Sequence, residues 1–270
     1  MTQLSAKNKS SAHNREQYSC FVCNAGRMDN TAAGGIRERN RAAIEAAIIE
    51  RGRAQLAEVG AAALSLRAIA RDLGMVSSAV YRYVANRDDL LTLLIVAVYD
   101  DLGDAVDAAL VTAGEDVRDR FDALCHALRG WALAHPHDYA LIYGSPVPDY
   151  HAPADRTVRA GTRVQVQLAR ILADVRTSLP RSRDPEAVAA ASVGLAEVVL
   201  DPLFAQAVAG STGPVRPPRA EAVLRGLAAW SLVMGAVSAE VFEQLGADTI
   251  ADPDAYFAGI VALARDLILR

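Results

Sequence analysis

The sequence predicts an all-α protein with an N-terminal three-helix head and a larger C-terminal helical body. Hydrophobic residues make up 52% of the 270 residues, many of them Ala and Leu, which together with Arg and Glu are strong helix formers. Apolar residues recur at helical spacing, whereas the alternation typical of strands is scarce. We therefore expect almost no sheet. A chain of this length has room for one large or two modest domains.

The most informative segment is residues 64–91, which reads as two short helices, a tight turn and the start of a third helix. Ser65 is a suitable N-cap for the first helix, and Gly74 stands where a left-handed residue ends it. Ser77 is expected to cap the second helix, and Asn86 the third. Two short helices joined by a Gly-containing turn are typical of the helix-turn-helix that reads DNA.

The start of the second helix carries small and polar side chains that cannot all be buried in a core. A small helix face enters the major groove, about 12 Å wide, where Ser can pair with any base edge. We predict that base contacts come from Ser77, Ser78, Ala79, Arg82 and Tyr83, and phosphate contacts from Ser65, Arg67, Tyr81 and Arg87. The alternative is that this segment is only a small helical packing unit.

The same segment resembles the TetR family of bacterial regulators. The matching residues are Gly60, Leu66, Ile69, Ala70, Leu73, Gly74, Val76, Tyr81, Tyr83, Arg87 and Leu90. The sequence departs from the family pattern just after the turn glycine, and at Tyr83, where Phe is common. The resemblance implies a homodimeric transcriptional regulator, most often a repressor, that binds a palindromic operator in double-stranded DNA. It also implies a small-molecule effector.

The charge distribution fits a DNA-binding head. The whole chain has a formal net charge of −4, but residues 1–95 carry 13 Lys and Arg against nine Asp and Glu. This region is therefore at +4 and the remainder at −8. A basic front and an acidic body orient a molecule on a polyanion, which permits DNA binding without demonstrating it.

The pattern of helices divides the chain into three parts. We predict a disordered extension at residues 1–33, a DNA-binding domain at 34–86, and a regulatory and dimerisation domain at 87–270. The expected helices after the head cover residues 87–110, 115–134, 136–142, 154–179, 185–209, 219–245 and 253–269. The first of these is about 35 Å long, and in the TetR family the equivalent helix joins the head to the body.

The body resembles a TetR subgroup with a WHG-type C-terminal domain. The resemblance covers residues 135–153 and 228–246, and the subgroup is named after Trp, His and Gly. Trp230 and Gly235 match that pattern, whereas Met234 stands where His is expected. This substitution excludes a role for an imidazole at that position and leaves the expected fold unchanged.

An aromatic stripe crosses the break between the second and third body helices. An aromatic-lined cavity with a few polar tips suits an apolar or aromatic small molecule. We predict that the effector site consists of Phe121, Leu124, Leu128, Trp131, His135, Tyr139 and Tyr143. The alternative is a core stripe whose Tyr and Trp tips reach water.

The last two helices carry a face that is too apolar for solvent. Gly235 and Ser238 allow close approach of two backbones, and two such helices from each subunit form a four-helix interface. The predicted interface residues are Trp230, Gly235, Ser238, Phe242 and Phe257. The alternative is that this face is buried within a monomer.

The sequence supports neither a metal, a cofactor nor catalysis. Cys20 and Cys23 form a CxxC without a second pair nearby, and the histidines lack metal-ligand spacing. No nucleophile–base pair, phosphate loop or carboxylate dyad stands out. No uninterrupted apolar run reaches the roughly 18 residues that span a bilayer, so we expect a cytoplasmic protein. The rival function is an all-α small-molecule-binding or catalytic protein that does not act on DNA.

Overall fold

The computed structural model describes residues 37–175, 184–193, 220–246 and 249–269. Within these ranges the chain is helical and has no strand, which confirms the predicted all-α class. The extension at residues 1–33, with its Cys20 and Cys23, lies outside the described residues, as do residues 194–209 of the helix expected at 185–209.

The head contains α1 (residues 37–59), a 3-10 turn (Ala61–Ala63), α2 (Leu66–Asp72) and α3 (Ser77–Val80). The body contains α4 (Arg87–Thr112), α5 (Val117–Ala134), α6 (Pro136–Tyr143), α7 (Ala154–Gly161), α8 (Arg163–Ala173), α9 (Pro185–Val193), α10 (Ala220–Val241) and α11 (Pro253–Ile268).

Two sequence expectations about helices are wrong. The single helix expected at residues 154–179 is divided at Thr162, whose hydroxyl donates a 2.7 Å hydrogen bond to the Val158 carbonyl oxygen. Such a bond from Thr to the preceding turn favours a bend. Ser77 does not cap α3, because the extended residue before that helix is Val76 and Ser77 is already helical.

The hydrophobic core has two parts, and α4 contributes to both. Leu90, Leu91 and Leu94 of its first half are buried with the head residues. Val98 and Leu102, further along, are buried with α5, α8, α10 and α11. The two cores therefore adjoin each other along α4, beyond the first residue of this helix. A displacement of α4 consequently acts on both cores.

α1 packs closely on α4 at Gly52. A Cβ at this position would lie 2.8 Å from a methyl carbon of Leu94, which is shorter than a normal van der Waals contact. The absence of a side chain at Gly52 thus lets the head rest directly on the helix that connects it to the body.

α10 is the most apolar long helix among the described residues. Its stretch Glu221–Val241 has a mean hydropathy of 1.5 and is long and apolar enough to cross a membrane by length and composition alone. It is not an uninterrupted apolar run, because Arg225 and Glu240 lie within it. The helix packs against α11 and also contacts α5, α8 and α9.

Candidate nucleic-acid interface and ligand groove

The first helix of the motif begins at a capped and pinned residue. The Ser65 hydroxyl accepts a hydrogen bond from the Ala68 amide, at 3.4 Å, as its position predicted. The buried Gln55 side chain accepts a second bond, at 3.1 Å, from the Ser65 amide. Gln55 was not among the predicted site residues, although an amide within the buried stripe of α1 is a signal. Ser65 is therefore held in place by the head itself.

Gly74 forms the turn of the motif, and two buried valines hold the helix that follows the turn. Gly74 has a φ of 65°, the left-handed conformation that its position predicted. The amide of Met75 then donates to the Ala70 carbonyl oxygen at 2.8 Å. Val80 and Val84 are buried in the head core and anchor α3 from below. This anchoring determines which side of α3 faces outward.

The outward side of α3 is polar. Ser77, Ser78 and Arg82 are exposed, and Tyr81 retains 45% of its surface. Ala79 is half-buried, and Tyr83 packs partly against the head core. Of the residues predicted to contact bases, the two serines and the arginine are thus exposed, whereas Tyr83 exposes only part of its side chain.

Two exposed arginines lie beside this polar face. Arg67 is in the first turn of α2, and Arg82 lies two residues beyond the end of α3. Neither guanidinium has a hydrogen-bond or ion-pair partner among the described residues. A guanidinium without a carboxylate neighbour keeps its full positive potential and its donors for an external acceptor.

Arg87, which was predicted to contact a phosphate, directs part of its guanidinium into the head. Its guanidinium donates to the carbonyl oxygens of Ala61, at 2.9 Å, and Ala62, at 3.2 Å. These carbonyls belong to the 3-10 turn after α1, where backbone acceptors lack helical partners. Arg87 therefore braces the start of α4 against the end of α1.

Two side-chain to backbone hydrogen bonds cap the N-terminus of α4. The Asn86 side chain accepts from the Asp89 amide at 2.9 Å, and the Asp89 carboxylate accepts from the Ala85 amide at 2.9 Å. Arg156 of α7 donates to the same carboxylate. This hydrogen bond is the main reason that the pKa of Asp89 lies below its ordinary value.

Two family profiles match this chain. Residues 48–94 match the bacterial regulatory proteins of the tetR family, and residues 121–264 match the tetracyclin repressor-like C-terminal domain. The first match ends at Leu94 of α4, which is buried in the head core. The chain belongs to the TetR family.

Relatives and solved structures agree with this assignment. The HTH-type transcriptional regulators Rv1816 of Mycobacterium tuberculosis and Mb1846 of Mycobacterium bovis are each 45% identical over 232 residues, which is 85% of this chain and 94% of theirs. The crystal structure of SCO4313 is 31% identical with a TM-score of 0.64, over 84% of this chain and 97% of that one. A Rhodococcus sp. RHA1 protein is 25% identical with a TM-score of 0.55, over 83% and 95%.

This TetR regulator buries most of the residues that were predicted to bind an effector. Phe121, Leu124 and Leu128 lie in the close-packed body core. Trp131 is also buried and directs its indole N–H toward the Asp101 carboxylate at 3.4 Å, while its ring lies beside that of His135. None of these residues lines the groove described below or the smaller cavity between the end of α10 and the start of α11.

Tyr143 of the stripe lines a groove, and Tyr139 is buried against it. Tyr139 is fully buried, and its hydroxyl lies 2.8 Å from that of Ser238. The Tyr139 ring contacts those of Tyr143 and Phe242, with centroids 5.2 and 5.8 Å away. The Tyr143 hydroxyl is buried near Gln165, and burial is the main reason that the pKa of this phenol is raised.

The groove in front of these tyrosines lies between head and body, and we call it the junction groove. Its volume is about 630 Å³. The head contributes Leu56, Gly60 and Ala61. The body contributes His137, Ala140, Leu141, Tyr143, Gly144, Ser145, Val147, Ser238, Phe242 and Gln244. Of the residues predicted to bind an effector, only Tyr143 is in this lining.

An ion-pair cluster joins head and body beside the groove, and we call it the latch. Arg53 of α1 donates to Asp138 of α6, with Nε at 2.9 Å and Nη2 at 2.5 Å, and to Asp101 of α4 at 2.7 Å. Burial disfavours the charged forms of both groups, but their mutual hydrogen bonds favour these forms more strongly. The pKa of Arg53 is therefore raised and that of Asp101 is lowered. The latch was not predictable from sequence spacing, because its members are far apart along the chain.

The residues predicted to lie between subunits fall in different environments. Gly235 is exposed with nothing within 4 Å of an added Cβ, and Trp230 is half-buried. Phe242 is 37% exposed and lines the junction groove, and Ser238 also lines it. Phe257 is only 1% exposed and lies under the Arg129 guanidinium inside the body. Its side chain therefore belongs to the core of its own chain, and we remove it from the predicted interface.

Proposed function

We propose that this TetR-family protein is a homodimeric repressor that binds a palindromic operator and is released by a small apolar or aromatic effector in the cytoplasm. The observation that carries the proposal is the outward face of α3. Ser77 and Ser78 are exposed on a helix that Val80 anchors in the head core, and Arg82 is exposed two residues beyond the end of that helix. This arrangement suits a helix that enters the major groove and reads base edges.

The two unpaired arginines contact different parts of the DNA in this proposal. Arg82 lies beside the serines of α3, where a guanidinium is suited to the O6 and N7 acceptors of guanine. Arg67 lies in the first turn of α2, where it is suited to a phosphate. Base contacts determine sequence preference, whereas phosphate contacts determine register and the dependence of affinity on salt.

A second copy of the chain covers the exposed faces of α10 and α11. Ala228, Ser231 and Gly235 are exposed at helical spacing on α10. On α11, Gly259 is exposed and Leu263 retains 60% of its surface. Small residues at such positions allow two helix backbones to approach, and only 33% of the most apolar window of α10 is buried in one chain. A four-helix interface accounts for an apolar helix that is so incompletely covered.

The DNA-binding proposal is tested by selection from random duplex DNA. The full chain should enrich a palindrome whose half-sites are centred about 34–36 Å apart. Arg67→Met should weaken binding to all sequences and reduce the salt slope of a dimer by about two. Arg159→Met, at an exposed position on α7, is the matched control and should change neither quantity. Recovery of no common sequence would contradict the proposal.

The repressor assignment is tested with a reporter promoter that carries the selected palindrome. The chain should lower transcription from this promoter, because a dimer on the operator occupies the DNA. Increased transcription would contradict the repressor assignment while leaving DNA binding intact.

The dimer is tested by sedimentation. Gly235→Arg places a charge at the centre of the proposed interface and should shift the protein to the monomer. Ala108→Arg, at an exposed position on α4, should leave the dimer intact. A monomeric wild type, or a Gly235→Arg variant that remains dimeric, would contradict the interface.

A further inference from the structure

We propose that the junction groove binds an uncharged, mainly apolar or aromatic small molecule, and that this molecule acts by separating the head from the body. The second half of this inference rests on the proposed function. The site differs from the one that the aromatic stripe predicted, because it lies at the boundary of two cores and not inside one.

The lining determines the chemical class of the ligand. None of the described lining residues is Asp, Glu, Lys or Arg, so a charged ligand would lose its hydration without gaining a partner. Leu56, Leu141 and Phe242 supply apolar surface, and Tyr143 adds an aromatic wall. A volume of about 630 Å³ lies within the range of small-molecule sites.

A few polar groups surround this apolar surface. His137, Ser145 and Gln244 lie in the lining and offer hydrogen bonds that carry no fixed charge. They suit hydroxyl, carbonyl or amine groups at the edge of an aromatic molecule. The ligand class is therefore a neutral ring system with one or two polar substituents.

The position of the groove explains how occupancy would act on the head. Leu56 is one helical turn beyond Arg53, and His137 directly precedes Asp138. A molecule that widens the space between α1 and α6 therefore strains the latch. Ala61 also lines the groove, and Arg87 holds its carbonyl oxygen. Displacement of this turn consequently reaches the first residue of α4, next to the DNA-reading helix.

The site is tested with a pair of dyes that share a ring system. N-phenyl-1-naphthylamine is uncharged, whereas 8-anilinonaphthalene-1-sulfonate adds a sulfonate to the same rings. In titrations of the full chain, we expect the uncharged dye to bind once per chain and the anionic dye to bind at least about tenfold more weakly. Equal affinities would contradict the assignment to an uncharged ligand.

The location is tested with three tryptophan variants. Ala61→Trp fills the groove from the head and Ala140→Trp from the body, so each should weaken the uncharged dye by about tenfold or more. Val111→Trp adds the same side chain at a position that is 85% exposed on α4 and should bind the dye as the wild type does. Unchanged binding in both groove variants would overturn the site.

Hydrogen exchange of the wild type keeps the test independent of whether a variant folds. The uncharged dye should slow exchange of the amides at residues 56–61 and 140–147. Protection confined to other segments would overturn the site.

The coupling is tested by repeating the dye titration on chain saturated with its selected palindrome. DNA should weaken the uncharged dye by about fivefold or more, because coupling between two sites is reciprocal. Equal dye affinity with and without DNA would overturn the action on the head. The dye titrations alone need no DNA, so failure to bind DNA contradicts the proposed function and leaves the site to be judged by the dyes.

Discussion

The head and the body use the same residue type, arginine, in opposite ways. In the body, Arg129 of α5 holds Glu240 of α10 with two 2.7 Å hydrogen bonds and Asp254 of α11 with a third. In the head, Arg67 and Arg82 are exposed and have no such partner among the described residues. Arg129 of the body thus holds helices together, whereas Arg67 and Arg82 of the head stay available to an external anion.

The body repeats this use of arginine between other helices. Arg163 of α8 donates to Asp104 and Asp107 of α4, each at 2.6 Å, and Arg265 of α11 pairs with Asp122 of α5. Some of the acidic residues of the body are therefore internal counter-charges to its own arginines. A count of charges along the chain does not distinguish these arginines from those that are free to bind DNA.

The largest effect is expected from Arg129→Met. Arg129 is only 9% exposed, and the hydrogen bond to Glu240 is the main reason that its pKa is raised. Removing it leaves Glu240 partly buried without its partner, so the free energy of unfolding should fall by about 3 kcal/mol. Urea midpoints at fixed protein concentration measure this. Arg67→Met is the matched control and should stay within about 0.5 kcal/mol of the wild type. Equal losses in both variants would remove the contrast between head and body.

A smaller loss is expected from Arg53→Met, which removes the latch. Asp138 has a side chain only 9% exposed and would keep a nearly buried charge, whereas Asp101, at 40%, would return to solvent. The free energy of unfolding should fall by about 2 kcal/mol. In a double-mutant cycle, Arg53 should couple more strongly to Asp138→Asn than to Asp101→Asn. The reverse order would show that the head is held mainly by α4 rather than by α6.

Arg82→Met should change DNA binding without changing stability. An arginine that reads a base edge contributes about 1–3 kcal/mol of discrimination, so affinity for the selected palindrome should fall by about tenfold or more. Binding to unrelated duplexes should change less, which is the expected difference from Arg67→Met. Competition between the palindrome and a scrambled duplex measures both affinities. A uniform loss across sequences would place Arg82 on a phosphate instead.

The smallest effect is expected from acid. The pKa values of Asp89 and Asp101 are lowered in the folded protein by Arg156 and Arg53. The stabilisation from these pairs is therefore fully present above the unfolded pKa, about 4, and is lost as the pH falls through the lower folded values. Urea midpoints should be steady from pH 7 to about pH 5 on account of these groups and fall below about pH 4. Asp89→Asn should reduce this acid sensitivity, and an unchanged profile would contradict the role of its ion pair.

Sequence pattern was sufficient for most local features, although it placed the cap of α3 at Ser77 instead of Val76. Ser65 and Asn86 cap their helices, Gly74 is left-handed, and the start of α4 is at the predicted residue. Each depends on backbone groups within a few residues. The outward position of Ser77 and Ser78 was also predictable, because Val80 had to face the core.

The sequence by itself determined the helical class, the motif and the TetR family, because periodicity, caps and turn residues act over short distances. Only the tertiary structure decided that Arg87 braces the 3-10 turn, that Phe257 is internal, and that Tyr143 alone of the aromatic stripe lines the groove. It also brought Arg53 to Asp138, 85 residues away in the chain. Such pairings depend on how helices pack side by side, and spacing along one helix does not specify which distant carboxylate an arginine meets.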